Sequence, residues 1–380
     1  MRTAEVVIVG GGIIGTSLAY HLARRGCRDV VVLERELVGS GSTSKCNGGV
    51  RLQFSTPLSI RLSQEAVRIF ETFRDEFGVD PDFRQYGYLF LITDEADLAR
   101  FRDMHGLQRS LGVPVELLTP ADIRQLVPPL ELAGVLAGSY CPRDGFADPN
   151  AVVEGFARQA RGLGIDILEG TQVTGIAVEG GRVRGVQTAN GSIAARWVVN
   201  AAGPWAGEVG RLAGVDVPVQ PYRRSQFITA PFDGVRDPMP LIIESGVGFS
   251  FRKEGPGVLM GMTKPEPPGK FDDSVDWDWL PQVVEHAVRW VPALGEAQIA
   301  RGYAGLYDLS PDRHPIMGPV PEVQGLFCCN GFSGHGFMHG PPAGRFLAEW
   351  ILDGKPSLDL SPFSIERFRG RQVAHEQMVW

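Results

Sequence analysis

The stretch Ala4–Glu34 constrains this chain more than any other. Glu5-Val6-Val7-Ile8-Val9 is a short apolar run rich in β-branched residues, the pattern of one buried strand. Gly10-Gly11-Gly12-Ile13-Ile14-Gly15 follows without a gap and fits G-x-G-x-x-G. Thr16 to Arg25 then sets Leu18, Ala19, Leu22 and Ala23 on one helical face, and Gly26 can close that helix. Val30-Val31-Val32-Leu33 is a second apolar strand with Glu34 at its end. Strand, tight turn, helix, strand and terminal acid together predict a dinucleotide-binding βαβ unit.

The physical reasons are separate for each residue. Gly10 permits the turn, Gly12 lets main-chain N–H groups approach a pyrophosphate, and Gly15 lets the helix pack against the strand. The helix N-terminus adds a partial positive charge. Glu34 lies 19 residues beyond Gly15, where a carboxylate can accept from both ribose hydroxyls and disfavours a 2′-phosphate.

The 380 residues predict two intertwined domains rather than one small one. With 43% hydrophobic and 21% charged residues, the chain has the makings of a sizeable globular core. A net charge of −7 argues against nucleic acid as a partner. Cys27, Cys46, Cys141, Cys328 and Cys329 are odd in number and widely spaced, which argues against a disulfide framework. Cys328-Cys329 is expected to pack in a buried strand. No His or Cys spacing suggests a metal site. No apolar run approaches the ~20 residues of a membrane span, and the first strand begins almost at once. The expectation is a cytoplasmic protein with no signal peptide.

Further along, Gly39 to Gly49 is a loop of small and hydroxylated residues, followed by Arg51 and an amphipathic helix around Ser59 to Phe77. Gln85 to Thr93 reads as a strand and Asp94 to Leu111 as a helix. Thr119 caps a short helix with Pro120 in its first position. Gly134 to Asp148 reads as turns, and Pro149 to Leu163 as a helix capped by Asp148. Ile165 to Gly191 reads as strands with hairpin signals. Arg196 to Asn200 is a strand running into Ala201–Ala206, a second strand-to-helix crossover. Val217 to Met262 predicts a largely antiparallel sheet, and Leu280 to Val291 a helix. Ile299 to Leu309 reads as strand and loop, Pro311 to Met317 as a turn, and Gly325 to Asn330 as the last strand. Gly331 to Gly340 is read as a loop that opens a helix over Pro341 to Leu352.

Three glycine-bearing crossovers, at Gly10–Gly15, Ala201–Ala206 and Gly331–Gly340, need one ligand. A helix N-terminus near the end of the chain suits a second negatively polarised group. Reduced flavin carries such charge at its N1–C2=O edge, and a nicotinamide does not. With VVIVGGGIIGTSLAYHLA, VVVLERE, GSTSKCNGGVRLQF, VVNAAGPWA, YAGLYDLSPDRHPIMGPV and NGFSGHGFMHGPPAGRFLAEWI, the chain resembles the D-amino-acid oxidase superfamily of FAD enzymes from end to end. Within it, the likeness is to sarcosine oxidase β subunits, the β subunit of L-proline dehydrogenase, and glycine oxidase.

The resemblance implies an α/β fold: a Rossmann-like FAD-binding domain over 1–80, 141–215 and 296–380, interleaved with a mainly antiparallel substrate domain over 81–140 and 216–295. It implies non-covalent FAD held by Gly10, Gly12, Ile13, Ile14, Gly15, Glu34 and Arg35, and by Ser42, Thr43, Ser44, Asn47, Gly48 and Gly49. Val173, Ala201, Ala202, Gly203, Trp205 and Gly305 complete the middle of that site. Gly331, Ser333, Gly334, His335, Gly336, Phe337 and Met338 form its last turn. It also implies hydride removal from the carbon beside the amine of a small amino or imino acid, with oxygen or a partner subunit as electron acceptor.

Such chemistry needs a C–H over the flavin and a cation for the substrate carboxylate. Arg51 matches the carboxylate-binding arginine of similar monomeric sarcosine oxidases. Tyr307 is a second candidate, as an O–H donor or a wall, and Arg252 in the substrate sheet a third. His335 is placed near the isoalloxazine as a structural or electrostatic group. Several residues depart from the family pattern. No cysteine stands in Gly305-Leu306-Tyr307, and no flavin-linked histidine near Phe146-Ala147-Asp148, so covalent FAD and covalent FMN are not expected. The loop lysine of monomeric sarcosine oxidases is Met338, and their oxygen-activating lysine falls at Leu259-Met260, with Lys264 nearby. A dehydrogenase subunit that passes electrons to a partner, a 2-hydroxy acid dehydrogenase and a non-catalytic assembly factor stay open beside the amine oxidase reading.

Overall fold

The computed structural model describes residues 2–370 and 374–378. Its first sheet runs Ile316–Pro319, Leu326–Asn330, Gly191–Asn200, Arg2–Val9, Val30–Leu33, Asp166–Leu168, and the hairpin Val173–Glu179 with Arg182–Thr188 extends from Gly191–Asn200. The inner strands are parallel, and Val9 lies level with both Leu33 and Asn200. Asn200 in turn lies level with Cys328. Four strand ends therefore open at one edge, the place where an open parallel sheet binds ligands. Val6, Val7 and Ile8 are wholly buried, as a parallel strand covered on both faces requires.

Helices Ile13–Arg24, Pro149–Gly162 and Gly336–Asp353 cover one face of this sheet. The first and last approach closely because Gly340 and Gly344 lack side chains. A Cβ on Gly344 would stand 2.4 Å from Ser17 Oγ and 2.6 Å from the Leu18 nitrogen. Ser17 Oγ donates to the Pro341 carbonyl at 3.0 Å and fixes the contact.

The second sheet runs Ile299–Leu309, Gln220–Thr229, Gly257–Gly261, Phe249–Glu254, Leu241–Glu244, Tyr88–Ile92, Ala137–Cys141, Glu116–Leu118. It is antiparallel except where Leu241–Glu244 pairs with Tyr88–Ile92. Helix Leu280–Trp290 packs on it through Val283, Ala287 and Trp290, in one core with Phe249, Phe251 and Val258. The mixed architecture has the expected parallel nucleotide sheet and antiparallel second sheet.

Three local expectations need correction. The passage 134–148 contains strands, Ala137–Cys141 and Gly145–Phe146. Gly138 looks like a turn residue but sits mid-sheet, where a Cβ would meet Leu89 and Ile123 at 2.7 and 2.9 Å. Packing overrode local propensity there. Residues Ile316–Pro319 form a strand against Leu326–Asn330 in place of the end of a turn. The last helix starts at Gly336 rather than Pro341, so Pro341 and Pro342 lie inside it. Its docking on Ile13–Arg24 outweighs the main-chain donors those prolines lack. The Cys328-Cys329 pair does lie in a buried strand, where burial pushes the Cys328 thiol up to about 12.

Candidate active site

The edge where the parallel strands end opens into a cavity of about 670 Å³. Its floor is the turn Gly10–Gly12. Gly10 has φ +114°, and a Cβ there would stand 2.4 Å from the Ala201 carbonyl oxygen, so the first and second crossovers touch through it. A Cβ on Gly15 would stand 1.9 Å from the Gly10 carbonyl oxygen. Gly12 caps helix Ile13–Arg24 with no side-chain acceptor, and Thr43 Oγ1 reaches over to accept from the Ile13 N–H at 3.1 Å.

At one end of the cavity Glu34 accepts from the Gly11 N–H at 2.7 Å and the Glu36 N–H at 2.9 Å. Two bonds still leave a carboxylate free lone pairs for ribose hydroxyls. Val173, Ala201, Ala202 and Gly203 line the same cavity. Arg35 stacks on the Trp205 ring at 3.7 Å, and both side chains face this end. Along its side run Ser42, Thr43 and Asn47, with Ser42 Oγ donating to the Leu306 carbonyl at 2.5 Å.

The far end is built by the last helix. His335 caps it and makes no side-chain capping bond, and Gly334, Gly336 and Phe337 face the cavity. Ser333 takes φ +53° in this turn. The turn is tied down by Asp308, which accepts from the Phe332 N–H at 3.0 Å and is pushed up to about 6 by burial. Two helix N-termini without acidic caps thus face one elongated cavity, with a ribose-type carboxylate at one end. A dinucleotide with a second electron-rich ring system would fit that cradle, with the helix N-termini at Ile13 and Gly336 available to its negatively charged groups.

A second chamber of about 100 Å³ opens beside the far end. It shares Asn47, Arg224, Gln226, Tyr307 and Gly334 with the large cavity, and adds Gly49, Arg51, Tyr88, Ser333, His335, Met338 and Met378. Tyr307 packs on Gly334, where a Cβ would meet its ring at 2.3 Å. Tyr88 places its hydroxyl where a side chain on Gly49 would stand. Arg51 is buried, with its guanidinium 4.1 Å over the Phe54 ring. Its Nη1 donates to the Gln53 carbonyl at 2.6 Å and its Nη2 to the Met378 carbonyl at 2.5 Å. Asp144 stands beneath it, accepting from the Leu52 N–H at 2.7 Å and Gln53 Nε2 at 3.0 Å, and burial pushes its carboxyl up to about 6. His335 has neither ring nitrogen bonded, and burial holds it well below the usual histidine range. His339 meets Ser63 Oγ at 2.8 Å and is held down to about 3 by burial.

Other expected site residues lie apart from these linings. Arg252 donates to the Asn47 carbonyl at 3.0 Å and pairs with Glu254 at 2.6 Å. Gly15 works behind the turn. Ser44 ties its own loop through Gly39 and Gly41, Gly48 pairs with Ala147, and Gly331 packs on Val219. Sequence reasoning missed Arg224, Gln226 and Met378. Arg224 stacks between the rings of Tyr222 and Tyr307 at 4.1 and 4.8 Å. The alternation of Tyr222, Arg224 and Gln226 along Gln220–Thr229 was the available signal, with Gly305 opposite Arg224 and Tyr307 opposite Tyr222.

The chain is 32% identical over 99% of its length to human mitochondrial sarcosine dehydrogenase, and covers 43% of that protein. It is 31% identical over 96% of its length to rat mitochondrial dimethylglycine dehydrogenase, covering 45% of it. It therefore spans less than half of these curated relatives. Among solved structures, L-proline dehydrogenase from P. horikoshii superposes with a TM-score of 0.91 at 34% identity, covering 97% of this chain and 98% of that one. Glycine oxidase from Geobacillus kaustophilus gives 0.88 at 26% identity, over 97% and 99%. Residues 5–350 match the family described as DAO, FAD dependent oxidoreductase, so the chain belongs to that family and its cofactor is FAD.

Proposed function

We propose that the protein oxidises the CH–NH bond of a small amino or imino acid such as sarcosine, another N-substituted glycine, proline or glycine. One observation carries this reading: a small chamber with two buried arginines adjoins the far end of the cofactor cavity and shares its lining there. Bound FAD supplies the electron sink for the hydride that leaves the carbon beside nitrogen, and the resulting imine hydrolyses in water.

The residues of the chain bind and orient. Arg51 and Arg224 offer charged donors to a carboxylate, and Tyr307 walls the passage between the two cavities. Holding the carboxylate fixes which C–H faces the flavin. Tyr88, Met338 and Met378 keep the chamber narrow and limit water. His335 stays neutral at physiological pH, so it shapes the site and is a poor proton acceptor. The amine must then arrive, or become, neutral without a strong base from this loop.

Lys264 pairs with Asp276 at 2.5 Å, and Leu259 and Met260 are buried apolar residues. That arrangement supports a dehydrogenase that passes electrons to a partner acceptor over an oxidase that forms peroxide. All five cysteines are unpaired thiols, which supports a reducing compartment such as the cytoplasm. No helix among the described residues is long and apolar enough to cross a membrane.

The test is anaerobic. The yellow protein is mixed in turn with sarcosine, dimethylglycine, proline, glycine and simple 2-hydroxy acids, and flavin absorbance is followed before and after air is admitted. Bleaching by at least one amine is expected, with slow recolouring in air. Bleaching by 2-hydroxy acids alone would overturn the reading.

A further inference from the structure

Arg51 already has a partner supplied by the chain itself. Within the segment Glu376–Met378, Met378 lines the chamber, its side chain is wholly buried in one cluster with Tyr88 and Phe90, and its carbonyl takes Arg51 Nη2 at 2.5 Å. The segment is held by one buried carboxylate. Glu376 Oε1 accepts from the Ser55 N–H at 2.9 Å, from Ser55 Oγ at 2.6 Å and from the Met378 N–H at 3.2 Å. Ser55 Oγ also accepts from the Gln377 N–H at 3.0 Å.

We propose that Glu376–Met378 is a displaceable strap: the Met378 carbonyl occupies the Arg51 donor that a substrate carboxylate takes over, and Met378 thereby selects what enters the chamber. This rests on the reading of Arg51 as carboxylate anchor. Two features make the exchange favourable. A carboxylate offers the guanidinium an opposite charge and a bidentate fit that a neutral carbonyl does not. The strap also carries its own cost, because Glu376 Oε2 is buried with no hydrogen-bond partner and regains water when the strap opens. The charge balance is kept. Glu376 is one of the acids that steady the buried Arg51, and an incoming carboxylate replaces it in that role.

A strap and a fixed wall answer a ligand in opposite ways. Acetate is added to the FAD-loaded full chain, and hydrogen exchange is read at the amides of Glu376, Gln377 and Met378. A strap exchanges about fivefold faster with acetate bound, because its latch has opened. A wall exchanges more slowly. The flavin difference spectrum reads acetate affinity in parallel. Glu376→Ala is expected to bind acetate about fivefold tighter than the parent, since the competitor is loosened, and Arg51→Ala to lose acetate binding. Slower tail exchange, or acetate affinity unchanged or weakened in Glu376→Ala, overturns the strap and leaves Arg51 as the anchor. Acetate binding that survives Arg51→Ala, or that is absent from both parent and Glu376→Ala, overturns the anchor and the strap with it.

Discussion

The two cavities are built on different principles. The cofactor cavity takes its floor and both its helix ends from main chain: glycines at 10 and 12, the crossover at Ala201–Gly203, and two helix N-termini. The chamber beside it is lined by side chains, Arg51, Tyr88, Arg224, Tyr307 and Met378, from separate stretches of the chain. A main-chain site is fixed by backbone conformation, which few residues permit. A side-chain site is fixed by which faces of which strands meet. The first tolerates almost no change at its glycines, whereas the second can change its ligand while keeping its frame.

The largest expected effect tests the first principle. Gly15→Ala puts a Cβ 1.9 Å from the Gly10 carbonyl oxygen, a main-chain atom that cannot rotate away. It should cost about 3 kcal/mol or more in urea unfolding and sharply reduce the yield of yellow protein. Gly12→Ala is the contrast within the same turn. Gly12 has φ −77°, which alanine accepts, and its nearest neighbour is Thr43 Oγ1 at 3.2 Å. Stability should change by less than about 1 kcal/mol while FAD affinity falls roughly tenfold, read by dialysis against apoprotein. Equal losses in both measurements would mean that Gly12 serves the fold and not the ligand.

The same contrast explains what was legible in the sequence. Gly10–Gly15 and Glu34 are close along the chain, their spacing encodes their geometry, and the strand Val30–Leu33 fell where its apolar run placed it. The chamber depends on registers that no local pattern carries. Arg224 reaches it because Gln220–Thr229 pairs with Ile299–Leu309 so that Arg224 faces Gly305. Met378 reaches it through a carboxylate that binds Ser55, over three hundred residues away. Gly138 and Pro341 misled for a related reason. Each is a breaker by local propensity and each sits inside a regular element, because a neighbouring element needed the space or the contact.

For the chamber, Arg51→Ala should weaken substrate binding by ~1.5–3 kcal/mol, the scale of a charged hydrogen bond, with FAD retained. The measurement is the substrate concentration that half-reduces the flavin. Loss of FAD instead would join the two cavities into one energetic unit and break the comparison.

A pH series separates the regions in another way. His339 is held down to about 3 in the folded chain against an ordinary 6.5, so the unfolded chain binds the proton more readily. Its contribution to stability is complete above ~pH 6.5 and is lost as pH falls toward 3, amounting to about 2 kcal/mol by pH 5. Asp144 runs the other way. Its folded value of about 6 lies above the ordinary one, so its charged form costs stability at neutral pH, and that cost eases as pH falls through 6. Unfolding midpoints of His339→Gln should therefore decline less steeply below pH 6.5 than those of the parent, and midpoints of Asp144→Asn more steeply below pH 6. Parallel curves would mean that neither group changes protonation on unfolding.

Tyr307 belongs to both cavities, so the mildest substitution at it asks how separate they are. Tyr307→Phe keeps the ring that packs on Gly334 and stacks with Arg224, and removes only the hydroxyl. Burial pushes that hydroxyl above its ordinary range, so it acts as a neutral donor and never as an anion near pH 7. A neutral hydrogen bond is worth about 0.5–1.5 kcal/mol, so substrate affinity should fall by less than about tenfold. FAD binding should not change, because the substitution keeps the ring that lines the cofactor cavity. If FAD loosens while substrate affinity holds, the hydroxyl belongs to the main-chain cradle, and the boundary between the two cavities runs through the chamber side of Tyr307 rather than the flavin side.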